Sequence, residues 1–410
     1  MIHQTKLEKQ AIEIKDGSVT TPNGFLAGGL HCGIKRKRLD LGWIYSEVPA
    51  TAAAVYTTNQ FQAAPLLVTK ESINTTGKIQ GVIVNSGIAN ACTGEEGYKN
   101  AQLMRKKFAD HIGIDEHLVV VSSTGLIGEQ LPMDKLDKGI NQIDHLIDEA
   151  NAFEKAILTT DTKEKRACVQ LDIDGKTVTI AGCAKGSGMI HPNMATMLGF
   201  VTTDANVSED ALNLTLKQAI NQTFNMITVD GDTSTNDMVL ILANGLAGND
   251  ELNQHHSDWD YFVSGVKQVC ESLAKQIARD GEGATKLIEV TVTGCKTNGD
   301  AAKVAKSIVG SSLVKTAIFG EDPNWGRIVA AIGYSGVQLN STAIDVFIGQ
   351  YQVVKGGLPV TYSEGIIRSY LKENKDIQIF ANLYDGDSQA TAWGCDLTYD
   401  YVKINAMYRT

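Results

Sequence analysis

A chain of 410 residues, 43% hydrophobic and 20% charged, is large enough for more than one ordinary core and lies in the globular range, which excludes a disordered or fibrous chain. Lys and Arg number 37 against 47 Asp and Glu, a formal charge of −10. That balance argues against a nucleic-acid partner, which calls for a basic face, and no apolar run approaches the roughly 20 residues that cross a bilayer, so no membrane association is expected.

The start, Met1-Ile2-His3-Gln4-Thr5-Lys6, has no apolar h-region and reaches Glu8 at once. No secretory or transit signal is expected, and the cytoplasm is the expected compartment. Val82-Ile83-Val84 and Leu118-Val119-Val120-Val121 read as buried strands. Between them Ala101, Met104, Phe108 and Ile112 recur every three or four residues, an amphipathic helix that Gly113 can end. Val169–Ile173 and Val178–Ala181 read as strands joined by a turn at Gly175. A second helix starts near Ser208, with Leu212, Leu216, Ala219 and Ile220 on one face. The run Met238–Ala243 is strand-sized. A third helix opens at Ser257-Asp258-Trp259-Asp260, close to a capping box in form, and carries Phe262, Val266, Val269, Leu273 and Ile277 on one face. Leu287–Val292 and Ala343–Ile348 read as strands, and the alternation in Asp396–Ile404 predicts a last, half-buried strand. The fold class is α/β, layered sheets and helices in two lobes.

The 7 cysteines are scattered, with no C-x-x-C pair; buried free thiols are expected, and neither a disulfide framework nor a zinc ribbon. The 8 histidines hold no H-x-x-x-H pair, so no metal is expected. There is no G-x-G-x-x-G, no complete P-loop, no G-x-S-x-G and no H-E-x-x-H. Dinucleotide oxidoreductase, nucleotide kinase and serine hydrolase readings lose their support.

One stretch is unusual. From Cys183 to Thr203 a glycine-bearing loop with Lys185 leads into Asn193-Met194-Ala195-Thr196, and then into an apolar strand. A threonine hydroxyl is a poor nucleophile unless a base lies within hydrogen-bond reach. A peptide nitrogen cannot be that base, because its lone pair is delocalised into the carbonyl. A free α-amino group can, with a reference pKa of about 7.7–8.0. Cutting the bond before Thr196 would place nucleophile and base on one residue. On local residues alone, Thr196 reads first as an ordinary strand opener, since most threonines in that place are there for β-propensity.

The segment Lys185-Gly186-Ser187-Gly188-Met189-Ile190-His191-Pro192-Asn193-Met194-Ala195-Thr196-Met197-Leu198 closely resembles the self-cleavage site of the ornithine acetyltransferase family, the bifunctional glutamate N-acetyltransferases of arginine biosynthesis. Further blocks resemble the family in order: Asn85–Gly94, Ser122–Gly128, Thr159–Thr162, Ala278–Lys286, Gly320–Arg327 and Asp396–Thr410. Ile88 departs from the asparagine more usual at its position and leaves that loop position without a polar side chain.

The resemblance implies the self-processing, aminopeptidase-like fold of that family and a cut between Ala195 and Thr196, giving an α chain of residues 1–195 and a β chain of 196–410, assembled as an α2β2 heterotetramer. Thr196 would be the nucleophile that takes the acetyl group of N2-acetyl-L-ornithine and passes it to L-glutamate. Thr124 and Gly125 would form the oxyanion hole, and Thr159, Lys185, Thr196, Glu282, Asn405 and Thr410 would contact substrate. No cofactor is implied, although some members use acetyl-CoA as a second acetyl donor. The rival readings are a self-processing aminopeptidase or amidase, in which water resolves the acyl-enzyme, and a non-catalytic amino-acid sensor on the same scaffold.

Overall fold

The computed structural model describes residues 9–191 and 197–407. Two sheets organise them. The first runs, strand beside strand, Ile12–Glu13, Lys165–Ile173, Lys176–Lys185, Leu198–Thr203, Met238–Ala243, Leu41–Tyr56, Lys78–Ile88 and Val119–Leu126, with Phe25–Leu30 also paired to Leu41–Tyr56. The second runs Leu358–Pro359, Tyr351–Lys355, Asp345–Ile348, Asp376–Asn382, Leu287–Cys295, Ser388–Cys395 and Ile227–Thr228.

The central strand Met238–Ala243 shows why the first sheet sits where it does. Successive side chains of a strand point to opposite faces. Met238, Leu240 and Leu242 enter one apolar cluster with Phe200, Leu66 and Phe153. Val239 and Ile241 enter another. With both faces covered, the strand has to be apolar at every position, which is why it reads as an unbroken run and not as an alternation. The second cluster also holds Val290 and Ile379 of the other sheet, together with Phe262, Val269 and Leu273 of the helix Trp259–Arg279, which packs against both sheets. The two expected lobes are thus two sheets sharing one continuous core. The segments on either side of residue 195 are interleaved: Leu198–Thr203 lies between Lys176–Lys185 and Met238–Ala243, and the latter pairs with Leu41–Tyr56.

The expected helix around Phe108 spans Gly94–Ile112, buries Ala101, Met104, Phe108 and Ile112, and ends at Gly113. Gly113 has φ 77° and donates its N–H to the Ala109 carbonyl at 2.9 Å, the left-handed helix end that glycine adopts without a Cβ penalty. Lys165–Ile173 and Lys176–Lys185 are joined by a two-residue hairpin whose Asp174 and Gly175 both have positive φ.

Three expectations need correction. Asp396–Ile404 is not a strand: Tyr399–Met407 is a helix. The Thr398 hydroxyl accepts the N–H of Asp400 at 3.2 Å and donates to the Gly283 carbonyl, so a capping threonine overrides the alternation. The capping box before the third helix does not form. The Asp258 carboxylate binds Lys9 Nζ at 2.8 Å and the N–H of Asp174 instead, and no side chain caps Trp259–Arg279. Among the cysteines, five are buried, but Cys92 is exposed and Cys32 half-buried.

Phe108 is wholly enclosed among Met104, Val119 and Ile83. Phe108→Ala should lower stability by about 3–5 kcal/mol, read as a lowered midpoint in denaturant or thermal unfolding; a shift within error would show that the cluster collapses onto the space.

Candidate active site

A cavity of about 250 Å³ opens where the strands Lys78–Ile88, Val119–Leu126 and Lys176–Lys185 end and where Leu198–Thr203 begins. Its wall includes Thr124, Gly125, Thr159, Lys185, Glu282 and Asn405. These six, drawn from segments up to 281 positions apart (405 minus 124), are the expected site residues that fall within the described chain. Thr196, Ala195 and Thr410 lie outside the described residues; Met197, the first described residue after the expected cut, lines the cavity.

Gly125 has φ 132°, and a Cβ there would lie 2.2 Å from the carbonyl carbon of Gly87 on the paired parallel strand. Both the conformation and the close approach demand glycine. The Thr124 hydroxyl accepts from Lys185 Nζ at 3.4 Å, and both residues are buried.

Lys185 is held by a charged cluster that sequence reasoning missed. Asp161 Oδ1 accepts from Lys165 Nζ at 2.7 Å and from the N–H of Gly186 at 2.6 Å, while Oδ2 accepts the N–H of Thr159 at 3.0 Å. Lys165 Nζ also donates to Asp280 at 2.6 Å, and Asp280 in turn accepts the N–H and hydroxyl of Thr162. Burial works against ionisation of Asp161, yet the charges of Lys185 and Lys165, with the hydrogen bonds from Lys165 and Gly186, hold its carboxyl well below the usual range. One cluster thereby sets the loop of Thr159, the turn after Lys185 and the approach to Glu282.

The loop Gly186–Ile190 is pinned along its length. Ser187 Oγ donates to the Asp280 carbonyl at 2.6 Å, and the Ser187 carbonyl accepts the N–H of Glu282 at 3.0 Å. The Asp230 carboxylate accepts the N–H groups of Met189 and Ile190 at 2.7 and 2.8 Å. Beyond the undescribed stretch, the Met197 carbonyl accepts the N–H of Met238 at 2.9 Å. Glu282 is buried, accepts from Asn405 Nδ2 at 2.7 Å and lies so close to Gly188 that a Cβ there would sit 2.4 Å from its carboxylate. Gly283, at φ 70°, leaves room for the backbone of Tyr401, which brings the C-terminal helix and Asn405 to the cavity.

Two more wall residues carry no sequence motif. Asn236 Nδ2 donates to the carbonyls of Ala89 and Ser123 at 2.6 and 2.8 Å, closing the cavity behind Thr124. Asp237 is buried, and among the described residues its Oδ2 has no hydrogen-bond partner. Burial pushes its carboxyl well above the usual range, against the opposing pull of Ser234 and Lys185. Their only signal in the sequence is a polar run, Asp230–Asp237, set directly before an apolar strand. The Ile88 side chain is half-buried and packs with apolar neighbours, while its carbonyl accepts from Asn85 Nδ2 at 2.9 Å. On the surface, Asp174, His256 and Asp258 gather ligand-type atoms within 4.8 Å of one another. His256 is already bonded to Asp174 and to the N–H of Asp258, and Asp258 to Lys9, so these groups already partner one another.

The arrangement presents a buried cation, Lys185, and two buried carboxyl groups, Glu282 and Asp237, on the wall of a cavity sized for a small molecule, with Thr124 and Gly125 at one corner. Asp161→Asn would leave Lys165 and Lys185 under-compensated and should cost about 3–5 kcal/mol, as breaking buried ion pairs does. A carboxyl depressed in the folded state stabilises above its unfolded pKa, about 3.9, and that contribution is lost as pH falls below it. The gap between wild type and variant should therefore be constant above about pH 5 and shrink on acidification; equilibrium unfolding across pH checks both.

Residues 26–410 match the profile of the ArgJ family. The "arginine biosynthesis bifunctional protein ArgJ" of Oceanobacillus iheyensis is 56% identical over 407 residues, covering 99% of this chain and 100% of that protein. The protein of the same name from Bacillus subtilis is 54% identical over 403 residues, covering 98% and 99%. A crystal structure of the Bacillus halodurans protein of that name matches with 56% identity and a TM-score of 0.50, over 51% of this chain and 98% of the solved one. With near-full-length identity on one side and the assembled wall residues on the other, the chain belongs to the ArgJ family of acetyltransferases of arginine biosynthesis.

Proposed function

We propose that this protein transfers the acetyl group from N2-acetyl-L-ornithine to L-glutamate through an ester on Thr196, after cutting its own backbone between Ala195 and Thr196. The observation that carries the reading is the convergence of Thr124, Gly125, Thr159, Lys185, Glu282 and Asn405 on one cavity, with Met197 on its wall. Names of relatives support the pathway.

In the cut, Thr196 Oγ attacks the Ala195 carbonyl carbon, the C–N bond breaks, and the hydroxyl proton passes to the freed amine. Water then hydrolyses the resulting ester, leaving the Ala195 carboxylate and a free threonine. In turnover the α-amino group takes the proton as Thr196 Oγ attacks the acetyl carbonyl. The oxyanion is received at Thr124 and Gly125, and the tetrahedral intermediate collapses with ornithine leaving as the amine that regains the proton. The glutamate amine attacks the ester and reverses these steps to release N-acetylglutamate. Lys185 suits a substrate carboxylate and Glu282 the side-chain ammonium of ornithine, since each is a buried charge that an amino-acid ligand completes. No step calls for a cofactor. Because residues 1–195 and 196–410 share the first sheet, the two products of the cut would remain one body, with α2β2 the proposed assembly and the cytoplasm the proposed compartment.

Intact mass under denaturing conditions should show two fragments meeting at the 195/196 bond, and Thr196→Ala a single uncut chain; active protein that is wholly uncut would end the proposal. Acetyl should appear on glutamate and not as free acetate, the product an amidase would release. Removing the Thr124 hydroxyl by Thr124→Ala should lower kcat about 10²–10³-fold, as loss of one oxyanion donor does, with little change in KM; steady-state kinetics with both substrates reads this directly.

A further inference from the structure

The two substrates of the proposed transfer differ at one end. Each carries an α-carboxylate, but ornithine ends in an ammonium and glutamate in a second carboxylate, so acetylornithine has no net charge and glutamate a negative one at neutral pH. The cavity wall suits the first and not the second. Among the described residues it presents Asp230, Asp232, Asp237 and Glu282 against a single cation, Lys185. With Lys185 taken by the α-carboxylate, a side-chain carboxylate placed at Glu282 would meet a like charge out of water, which is strongly disfavoured. Glutamate therefore needs a cation beyond this wall and close to it.

A second cleft, of about 740 Å³, supplies one. The loop Ile34–Arg38 lines it together with Gly87, Leu126, Thr159 and Met407. Thr159 lies on both walls, Leu126 follows Gly125, and the C-terminal helix sends Asn405 to the cavity and Met407 to the cleft. In a chain of charge −10 the loop carries four basic residues in a row, Lys35-Arg36-Lys37-Arg38. Its place is fixed. The buried Asp40 carboxylate accepts the N–H groups of Cys32, Gly33 and Lys35 at 2.6, 3.2 and 2.8 Å. Ile34 and Lys35 pack on Gly87, the residue that Gly125 touches, and a Cβ on Gly87 would lie 2.9 Å from the Ile34 side chain. Lys35 Nζ has its three donors taken by the carbonyls of Leu39, Ala156 and Leu158, at 3.0, 3.4 and 2.5 Å, the last of these next in sequence to Thr159. Lys35 thus anchors the loop beside the shared wall. Arg36, Lys37 and Arg38 remain exposed, and among the described residues none of them has an ion-pair partner.

We propose that the two amino acids occupy the cavity with their side chains in different directions: the ornithine ammonium at Glu282 and Asn405, the glutamate γ-carboxylate past Thr159 to the cations Arg36, Lys37 and Arg38. The α-carboxylate of each stays at Lys185, so both amines are presented to the same acetyl ester. A carboxylate meeting an unpaired guanidinium or ammonium makes the charge-assisted bonds that the acidic cavity wall denies it. The basic loop is then the determinant of acceptor specificity, and it takes no part in receiving the acetyl group from acetylornithine. This assignment rests on the acetyl transfer proposed above and names where its second substrate is told apart from its first.

The test uses the two half-reactions. In a ping-pong order kcat/KM for acetylornithine reports the steps up to release of ornithine, and kcat/KM for glutamate the steps after it. Wild type is compared with the triple variant Arg36→Ala, Lys37→Ala, Arg38→Ala at about 0.15 M salt, where charges more than about 8 Å apart are largely screened. In the variant kcat/KM for glutamate should fall about tenfold or more, as loss of a charge-assisted contact implies, while kcat/KM for acetylornithine is unchanged. Glutamine, nearly the same shape without the charge, is the second acceptor: the preference for glutamate over glutamine should shrink by a similar factor, which a merely structural role would not produce. A variant that keeps the wild-type kcat/KM for glutamate, or one in which both kcat/KM values fall together with the preference intact, would overturn the assignment. Wild type that moves no acetyl group out of acetylornithine would instead strike the proposed function itself, and this assignment with it.

Discussion

The site depends on a lysine enclosed between two carboxylates. Lys165, 1% exposed, sits 2.7 Å from Asp161 and 2.6 Å from Asp280. Taking three charges out of water is costly, and a buried ion pair is weak evidence for stability in itself. What the cluster supplies is position. Asp161 has its remaining capacity filled by the N–H groups of Gly186 and Thr159, and Asp280 by Thr162. Three stretches distant in sequence, around 159–165, 185–187 and 280–282, can meet only in the arrangement that satisfies all of these bonds. Lys185 and Glu282 follow from that arrangement, one on the strand end beside Gly186 and the other two residues beyond Asp280.

Small residues then decide how closely the pieces approach. Gly87 and Gly125 let two parallel strands touch beside Thr124, Gly188 gives the Glu282 carboxylate its space, and Gly283 seats the C-terminal helix. The same device appears nearby, where Ile34 rests on Gly87.

The elements most legible in the sequence are those whose pattern has one physical reading. The helix through Ala101, Met104, Phe108 and Ile112 could only bury that face, and Gly113 could only end it. Met238–Ala243 was readable as a strand, but its central place between Leu198–Thr203 and Leu41–Tyr56 was not, since pairing partners are set by contacts that no local window contains. The C-terminal segment misled for a definite reason: its alternation is real, but Thr398 offers a capping hydroxyl and the segment docks through Asp396 onto Thr285 and Lys286. Pattern recorded the side chains and missed the competing hydrogen bonds.

From residues alone came the likeness of the 185–198 stretch to a family, because that likeness is carried by consecutive residues; the nucleophile reading of Thr196 came with it, since the local pattern by itself favours an ordinary strand opener. Also readable were the exclusion of metal-ligand, dinucleotide and P-loop motifs, and the amphipathic helices. The folded chain decided everything that depends on distance: the convergence of Thr124, Thr159, Lys185, Glu282 and Asn405 on one cavity and the Asp161–Lys165–Asp280 cluster behind them. An isolated aspartate or lysine carries no mark of its partner, and only packing, which sets burial and removes water, turns such residues into a site.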